Sequence, residues 1–145
     1  DVGSDRTEEV DVVDKPGLNF GWPCYEGTAR SPLYKGQAIC KKLYAKGRAA
    51  VKDPLVAYPR STVIGGPFYT GSTWPSQFHD AYVFGDWEAS WIKFLTRESD
   101  DRYSAKPTDL AAKAAGPVEI EFGPDGNLYY VSLNLGQVRR ISFQG

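Results

Sequence analysis

Alternating apolar and β-branched runs recur along the second half of the chain, and two of them align without a gap. The stretch from Ala81 through Trp87 to Leu95 lies over Leu128 through Asn134 to Ser142, an offset of 47 residues from Ala81 to Leu128. Period-two alternation around a short turn predicts a strand, a turn and a second strand in each. A further extended run precedes each unit, Val63 to Tyr69 in the first and Val118 to Phe122 in the second. Repeats of about 40 to 50 residues with several short strands each are those of propeller blades, whose sheets cover both faces only against their neighbours. A lone blade of this kind does not fold.

Gly123-Pro124-Asp125-Gly126-Asn127 separates two of the predicted strands. Proline fixes one φ and glycine accepts a positive one, so the segment reads as a hairpin turn. It is not a phosphate loop, because no GxGxxG run, following helix or lysine accompanies it. Nearer the N-terminus, Glu8 to Val13 is a strand candidate, Gly17 to Gly27 a loop rich in glycine and aromatics, and Pro32 to Pro54 an irregular insertion with room for a short helix. Asp109 to Gly116 reads as a helical turn between blades, with an aspartate cap and a terminating glycine. The predicted architecture is all-β: a partial six-bladed propeller of about three four-stranded antiparallel blades. Residues 1–60 form an incomplete blade with a cysteine-containing insertion, and residues 61–107 and 108–145 form one blade each.

Composition supports this picture and narrows the partners. The 145 residues are 41% apolar, 24% charged and 14% aromatic, with 15 glycines and 10 prolines, a turn-rich globular profile. A formal net charge of -1 provides no cationic field for nucleic acid or an anionic membrane. The lysines and arginine from Lys41 to Lys52 read as a solvated face. No apolar run reaches the roughly 20 residues needed to span a bilayer, and the charged start is no signal peptide; the expectation is that any secretion signal has been removed or lies in upstream sequence. Cys24 and Cys40 enclose a loop-like stretch and read as a disulfide, with two buried thiols as the alternative. A disulfide implies an oxidising compartment, secreted or periplasmic.

Few side chains here suggest catalysis. His79 stands beside Asp80, but no placed nucleophile completes a triad and one histidine cannot build a metal site, so it reads as a surface residue. Asp86, Glu88 and Asp125 lack the spacing of a dedicated calcium loop, and capping or turn roles suit them better. Trp22, Tyr25, Trp74, Trp87 and Trp91 could stack on sugar rings or fill the space between sheets. Trp87, beside the inner turn of a blade, is the first candidate for sugar contact.

Four ordered motifs carry a resemblance to a known family. Glu8-Glu9-Val10-Asp11-Val12-Val13 with Gly17-Leu18-Asn19-Phe20-Gly21-Trp22-Pro23, then Gly65-Gly66-Pro67-Phe68-Tyr69-Thr70-Gly71, Phe84-Gly85-Asp86-Trp87 and Gly123 to Val131 resemble the glucose/sorbosone dehydrogenases in order and type. Cys24-Tyr25-Glu26-Gly27 followed by Cys40 is similar to their secreted branch. The resemblance implies the C-terminal half of a six-bladed propeller that oxidises a sugar hydroxyl with hydride transfer to pyrroloquinoline quinone (PQQ), assisted by calcium.

The same resemblance shows what this chain lacks. The family's histidine base lies in an earlier blade, so no catalytic residue is assigned here. Gly3 and Ser4 fall where backbone carbonyls hold calcium, although Val2 replaces a glutamine. Trp87 and Glu88 fall at the cofactor-binding turn. The lysine that meets a quinone carboxylate maps to Glu88 or Ala89, and the two arginines to Gly116 and Val118. Two functions follow: part of a PQQ-dependent sugar dehydrogenase, or a non-catalytic propeller module for carbohydrate or protein. A purely structural piece of an assembly is a third. The expected partners are a sugar or glycan, and either the missing half of the propeller or a second copy, because three blades leave apolar faces in water.

Overall fold

The computed structural model describes the chain apart from residues 5, 60, 101, 144 and 145. It divides into two compact units, Asp1–Arg60 and Ser61–Gly145. In the first, strand β1 (Thr7–Val10) pairs antiparallel with β4 (Val56–Pro59), and β2 (Tyr25–Glu26) forms a small hairpin with β3 (Ala29–Arg30). The predicted insertion contains an α-helix, α1 (Ala38–Ala45), followed by Gly47 at a positive φ of 81° and a 3-10 turn at Arg48–Ala50.

Cys24 and Cys40 are joined as a disulfide and almost wholly buried. Together with Tyr25 and Val51 they centre a small core, with Tyr34, Leu43 and Tyr44 against it. The Tyr44 hydroxyl donates to the Cys24 carbonyl at 2.6 Å. Arg30 lies 4.3 Å over the Tyr44 ring and Arg48 lies 4.7 Å over the Tyr25 ring, so two guanidinium groups roof the aromatic pair.

The second unit contains two antiparallel sheets. One has four strands in the order β5 (Val63–Ile64), β6 (Tyr82–Asp86), β7 (Trp91–Leu95) and β8 (Thr108–Ala111). The other has three: β9 (Pro117–Phe122), β10 (Leu128–Ser132) and β11 (Gln137–Ile141), with β10 in the middle. The extended run from Val63 to Tyr69 keeps only a short ladder and then one bridge, Phe68↔Tyr82. Gly65, Gly66 and Pro67 interrupt it, and a Cβ on Gly66 would lie 2.5 Å from the Val83 carbonyl oxygen.

The helical turn expected over Asp109 to Gly116 is not formed. Residues 108–111 are strand β8, which pairs with β7 as Ile92↔Ala111, Lys93↔Asp109 and Phe94↔Thr108. The open edge of β7 supplies backbone partners that outweigh the local helix preference of an alanine-rich run. The Lys93–Asp109 ion pair at 3.2 Å accompanies the pairing. The 123–127 hairpin is formed as expected: Gly123 N donates to the Asn127 carbonyl at 2.9 Å, and Gly126 has φ 76°.

One apolar layer joins the two sheets. Val83, Ile92 and Phe94 from the first and Ile120, Leu128 and Tyr130 from the second belong to a single buried cluster, closed at the rim by Tyr69, Trp74 and Phe78. Gly85 lies under this contact. A Cβ there would approach Ile120 Cδ1 to 2.9 Å and Pro117 Cγ to 3.1 Å.

Strand ends set the structural repeat at 46 residues, from Tyr82 to Leu128 and from Trp91 to Gln137. That is one fewer than the gapless alignment. With a period of two, a shift of one exchanges the faces of every strand. At an offset of 46, buried Asp86 matches buried Ser132, and Ser90 at φ 59° matches Gly136 at φ 62°. Equivalent faces of the two sheets then point the same way, which is how blades stack.

Reducing the Cys24–Cys40 bond opens a loop with a sequence separation of 16. In the chain-entropy relation such a loop is worth about 3 kcal/mol. Urea unfolding followed by the amide NMR signals of the first unit, with and without reductant, is expected to show its midpoint falling.

Candidate functional site

At one end of the second unit, three turns are linked by short polar contacts. Asp86 closes β6 with no exposed surface. Its Oδ2 accepts from the Ser61 hydroxyl and from Thr62 N at 3.0 Å, and its Oδ1 accepts from Ala89 N at 2.6 Å. Three donors satisfy a carboxylate that burial would otherwise penalise. Trp87 N donates to the Thr62 carbonyl at 3.0 Å. The β6–β7 turn is therefore held from below, and its next two side chains face solvent: Trp87 is 38% exposed and Glu88 is also exposed.

The segment 114–116 ties this turn to the next sheet. Ala114 N donates to the Ser90 carbonyl at 2.7 Å, and Gly116 N donates to Ser90 Oγ at 3.2 Å. On the other side, Ser132 Oγ donates to the Ala115 carbonyl at 2.6 Å and Leu133 N donates to the Gly116 carbonyl at 2.8 Å. Ala115 and Gly116 both have positive φ, 55° and 71°. Gly116 takes its positive φ at no steric cost, and a Cβ there would lie 2.8 Å from three atoms of the exposed Asn134 amide. The side chains left outward are Trp87, Leu133 and Leu135, the two leucines 55% and 50% exposed.

Neither Ser90 nor Ser132 was a candidate from sequence, and both hold this end together. The 46-residue offset carries their signal, because it places Ser132 at the position of Asp86. His79 is exposed and its ring lies 6.3 Å from that of Tyr69, while Asp80 pairs with Arg97 at 2.6 Å. The surface reading of the histidine agrees with this arrangement. Asp125 has the turn role expected, accepting from Asn127 N at 3.1 Å, Asn127 Nδ2 at 2.7 Å and the Tyr129 hydroxyl at 2.8 Å. These hydrogen bonds, the Asn127 side chain first, hold its carboxyl below the usual range.

Gly3 and Ser4 lie in the first unit, over a set of buried carboxylates. Glu8, Glu9 and Glu26 are each at most 5% exposed. Gly3 N donates to Glu8 Oε1 at 2.7 Å. The Ser4 hydroxyl donates to Glu26 Oε1 at 2.6 Å, and Arg6 N donates to Glu26 Oε2 at 2.9 Å. A Cβ on Gly3 would fall 2.1 Å from the Thr7 carbonyl oxygen. Glu9 accepts from Gly27 N. Glu8 and Glu26 thus act as internal caps for the loop that precedes β1, and Glu9 for the turn between β2 and β3.

The implied cofactors meet these residues poorly. A quinone tricarboxylate requires cations, yet positions 86–90, 114–118 and 133–136 contain no lysine or arginine and do contain Glu88. Calcium takes six to eight oxygens, and the carboxylates beneath Gly3 and Ser4 already receive N–H and O–H donors. Among the described residues, the one carboxylate group with metal-ligand spacing is Asp1, Glu9 and Asp11, whose oxygens lie within 4.8 Å of one another.

A family profile described as glucose/sorbosone dehydrogenase matches residues 1–140. The HIPL1 protein of Arabidopsis thaliana is 27% identical over 154 aligned residues, covering 95% of this chain and 20% of that one. A crystal structure of glucose dehydrogenase superposes with a TM-score of 0.61 at 23% identity, covering 89% of this chain and 36% of that one. The chain thus spans about a fifth of the first relative and just over a third of the second. The structural likeness shows the fold, a partial propeller.

Burial, and the nearby charge of Asp11, raise the Glu9 carboxyl above its ordinary 4.5, against the pull of the Gly27 N–H and of Arg48. The folded state therefore holds this proton more tightly than the unfolded chain. Stability is lost as pH rises through the window above 4.5. Glu9→Gln is expected to remove that loss, so the gap in urea midpoint between variant and parent grows in the variant's favour from about pH 4.5 to 7.

Proposed function

This chain belongs to the glucose/sorbosone dehydrogenase family, and from that premise we propose that it contributes sugar-binding blades to a larger propeller without itself holding the quinone. The observation that carries this reading is the turn after Asp86. A buried aspartate fixes it, and it presents an indole to solvent beside an acid. The apolar face of a pyranose stacks on such a ring, and a carboxylate such as Glu88 accepts from sugar hydroxyls. The same acid repels a tricarboxylate.

Sugar-hydroxyl oxidation with hydride transfer to PQQ is the second reading, and membership of the family favours it. In that case the histidine base, the cations and the calcium ligands come from polypeptide beyond these residues. The disulfide supports a secreted or periplasmic setting for either reading.

Calorimetric titration separates the two. Aldoses are expected to bind weakly, with Trp87→Ala losing about tenfold, equivalent to ~1.4 kcal/mol. PQQ with calcium is expected to give no saturable heat. Saturable quinone binding to this chain, or aldose binding indifferent to Trp87, would overturn the proposal.

A further inference from the structure

Residues 28–52 contain seven lysines and arginines and no aspartate or glutamate, a local excess that the net charge of the whole chain conceals. Two of the seven are neutralised, Arg48 by Asp53 and Lys52 by Asp14. The other five, Arg30, Lys35, Lys41, Lys42 and Lys46, are exposed, and no carboxylate pairs with them among the described residues. Helix α1 and its cap collect three of them. Cys40, Leu43 and Tyr44 turn toward the core of the first unit. At about 100° per residue this leaves Lys41, Lys42 and Lys46 on the outward face, with Ala38 and Ala45 between them. Arg30, over the Tyr44 ring at 4.3 Å, adds a charge on the flank that carries Lys41. The Cys24–Cys40 bond fastens the helix close to Trp22, which is 46% exposed and meets Tyr34 edge-on, the ring centroids 6.0 Å apart. We propose that the outward face of α1, with the Trp22–Tyr34 pair at its margin, binds an acidic polysaccharide, its anionic groups on the lysines and a sugar ring on the indole.

Helix stability alone does not account for this pattern. Lysines suit a helix C-terminus, where Lys42 and Lys46 stand, but the opposite end favours acids. The first turn of α1 has none, and Lys35 lies just ahead of it and Lys41 within it. Lysine is almost never buried without a partner, so this face suits a charged ligand and not the apolar cover of a neighbouring blade. A lipid surface fits less well. An interfacial helix needs a broad apolar face, and Ile39 is the one large apolar residue on the outward side of α1. The exposed indole, which can stack on a pyranose, selects a sugar over a chain that is merely charged. This face belongs to the first unit and the Trp87 turn to the second, so either reading can fail without the other.

The probes are oligogalacturonate and dextran sulfate, a carboxylated and a sulfated sugar chain, titrated calorimetrically into the whole chain at low salt beside neutral dextran and polyglutamate. At least one of the two acidic sugars is expected to bind, with an affinity that falls as salt rises, while neutral dextran does not. The exposed double substitution Lys41→Glu with Lys42→Glu is expected to weaken that binding about tenfold, with the amide NMR signals of the Cys24–Cys40 core unchanged. Trp22→Ala is expected to weaken it about threefold and to leave polyglutamate as it was. Silence with both acidic sugars, polyglutamate or phosphatidylserine vesicles bound as tightly as the sugar, or indifference to the double substitution would each overturn the proposal.

Discussion

Ile120, Leu128 and Tyr130 of one sheet share a buried layer with Val83, Ile92 and Phe94 of the next, and neither sheet has another means of covering those faces within the second unit. Area removed from water is the driving force, but the approach is limited by backbone. Gly85 lets Ile120 and Pro117 come to where a methyl group would collide. Everything at the end of the unit follows from that separation. Ser90 reaches the amides of Ala114 and Gly116, and Ser132 reaches the carbonyl of Ala115, because the sheets are held at this distance.

The chemistry of the exposed turns is a by-product of this scaffold. Asp86 is buried and fully used in hydrogen bonds to backbone and to Ser61, so it orients the turn instead of reacting. Trp87 and Glu88 are free to meet a ligand because Asp86 does the structural work. In the first unit, Glu8, Glu9 and Glu26 are likewise committed to backbone donors. Buried acids in this chain are fold-specifying groups, and the exposed ones carry the opportunity for recognition.

Much of this was legible beforehand. The blade repeat, the 123–127 hairpin, the short helix in the insertion, the Cys24–Cys40 bond and the surface position of His79 all follow from local residue chemistry. What misled was also local. Asp109 to Gly116 has the cap, the alanines and the final glycine of a helical turn, and only the vacant edge of β7 turns its first residues into a strand. The gapless alignment matched aromatic with aromatic and missed by one residue. Correct superposition depends on where ladders end, and side-chain type does not record that. The linking roles of Ser90 and Ser132 were hidden by the same slip.

The sequence by itself determined the class of architecture, the strand-turn-strand repeat and the absence of cations at the blade-end turns. Those properties depend on alternation, turn residues and charge, which are fixed by neighbours in the chain. The tertiary structure alone decided which face each strand shows and which carboxylates are buried. These depend on contacts between segments far apart in sequence. Because a strand repeats every two residues, one position of register exchanges core for surface, and only the contact between sheets sets that register.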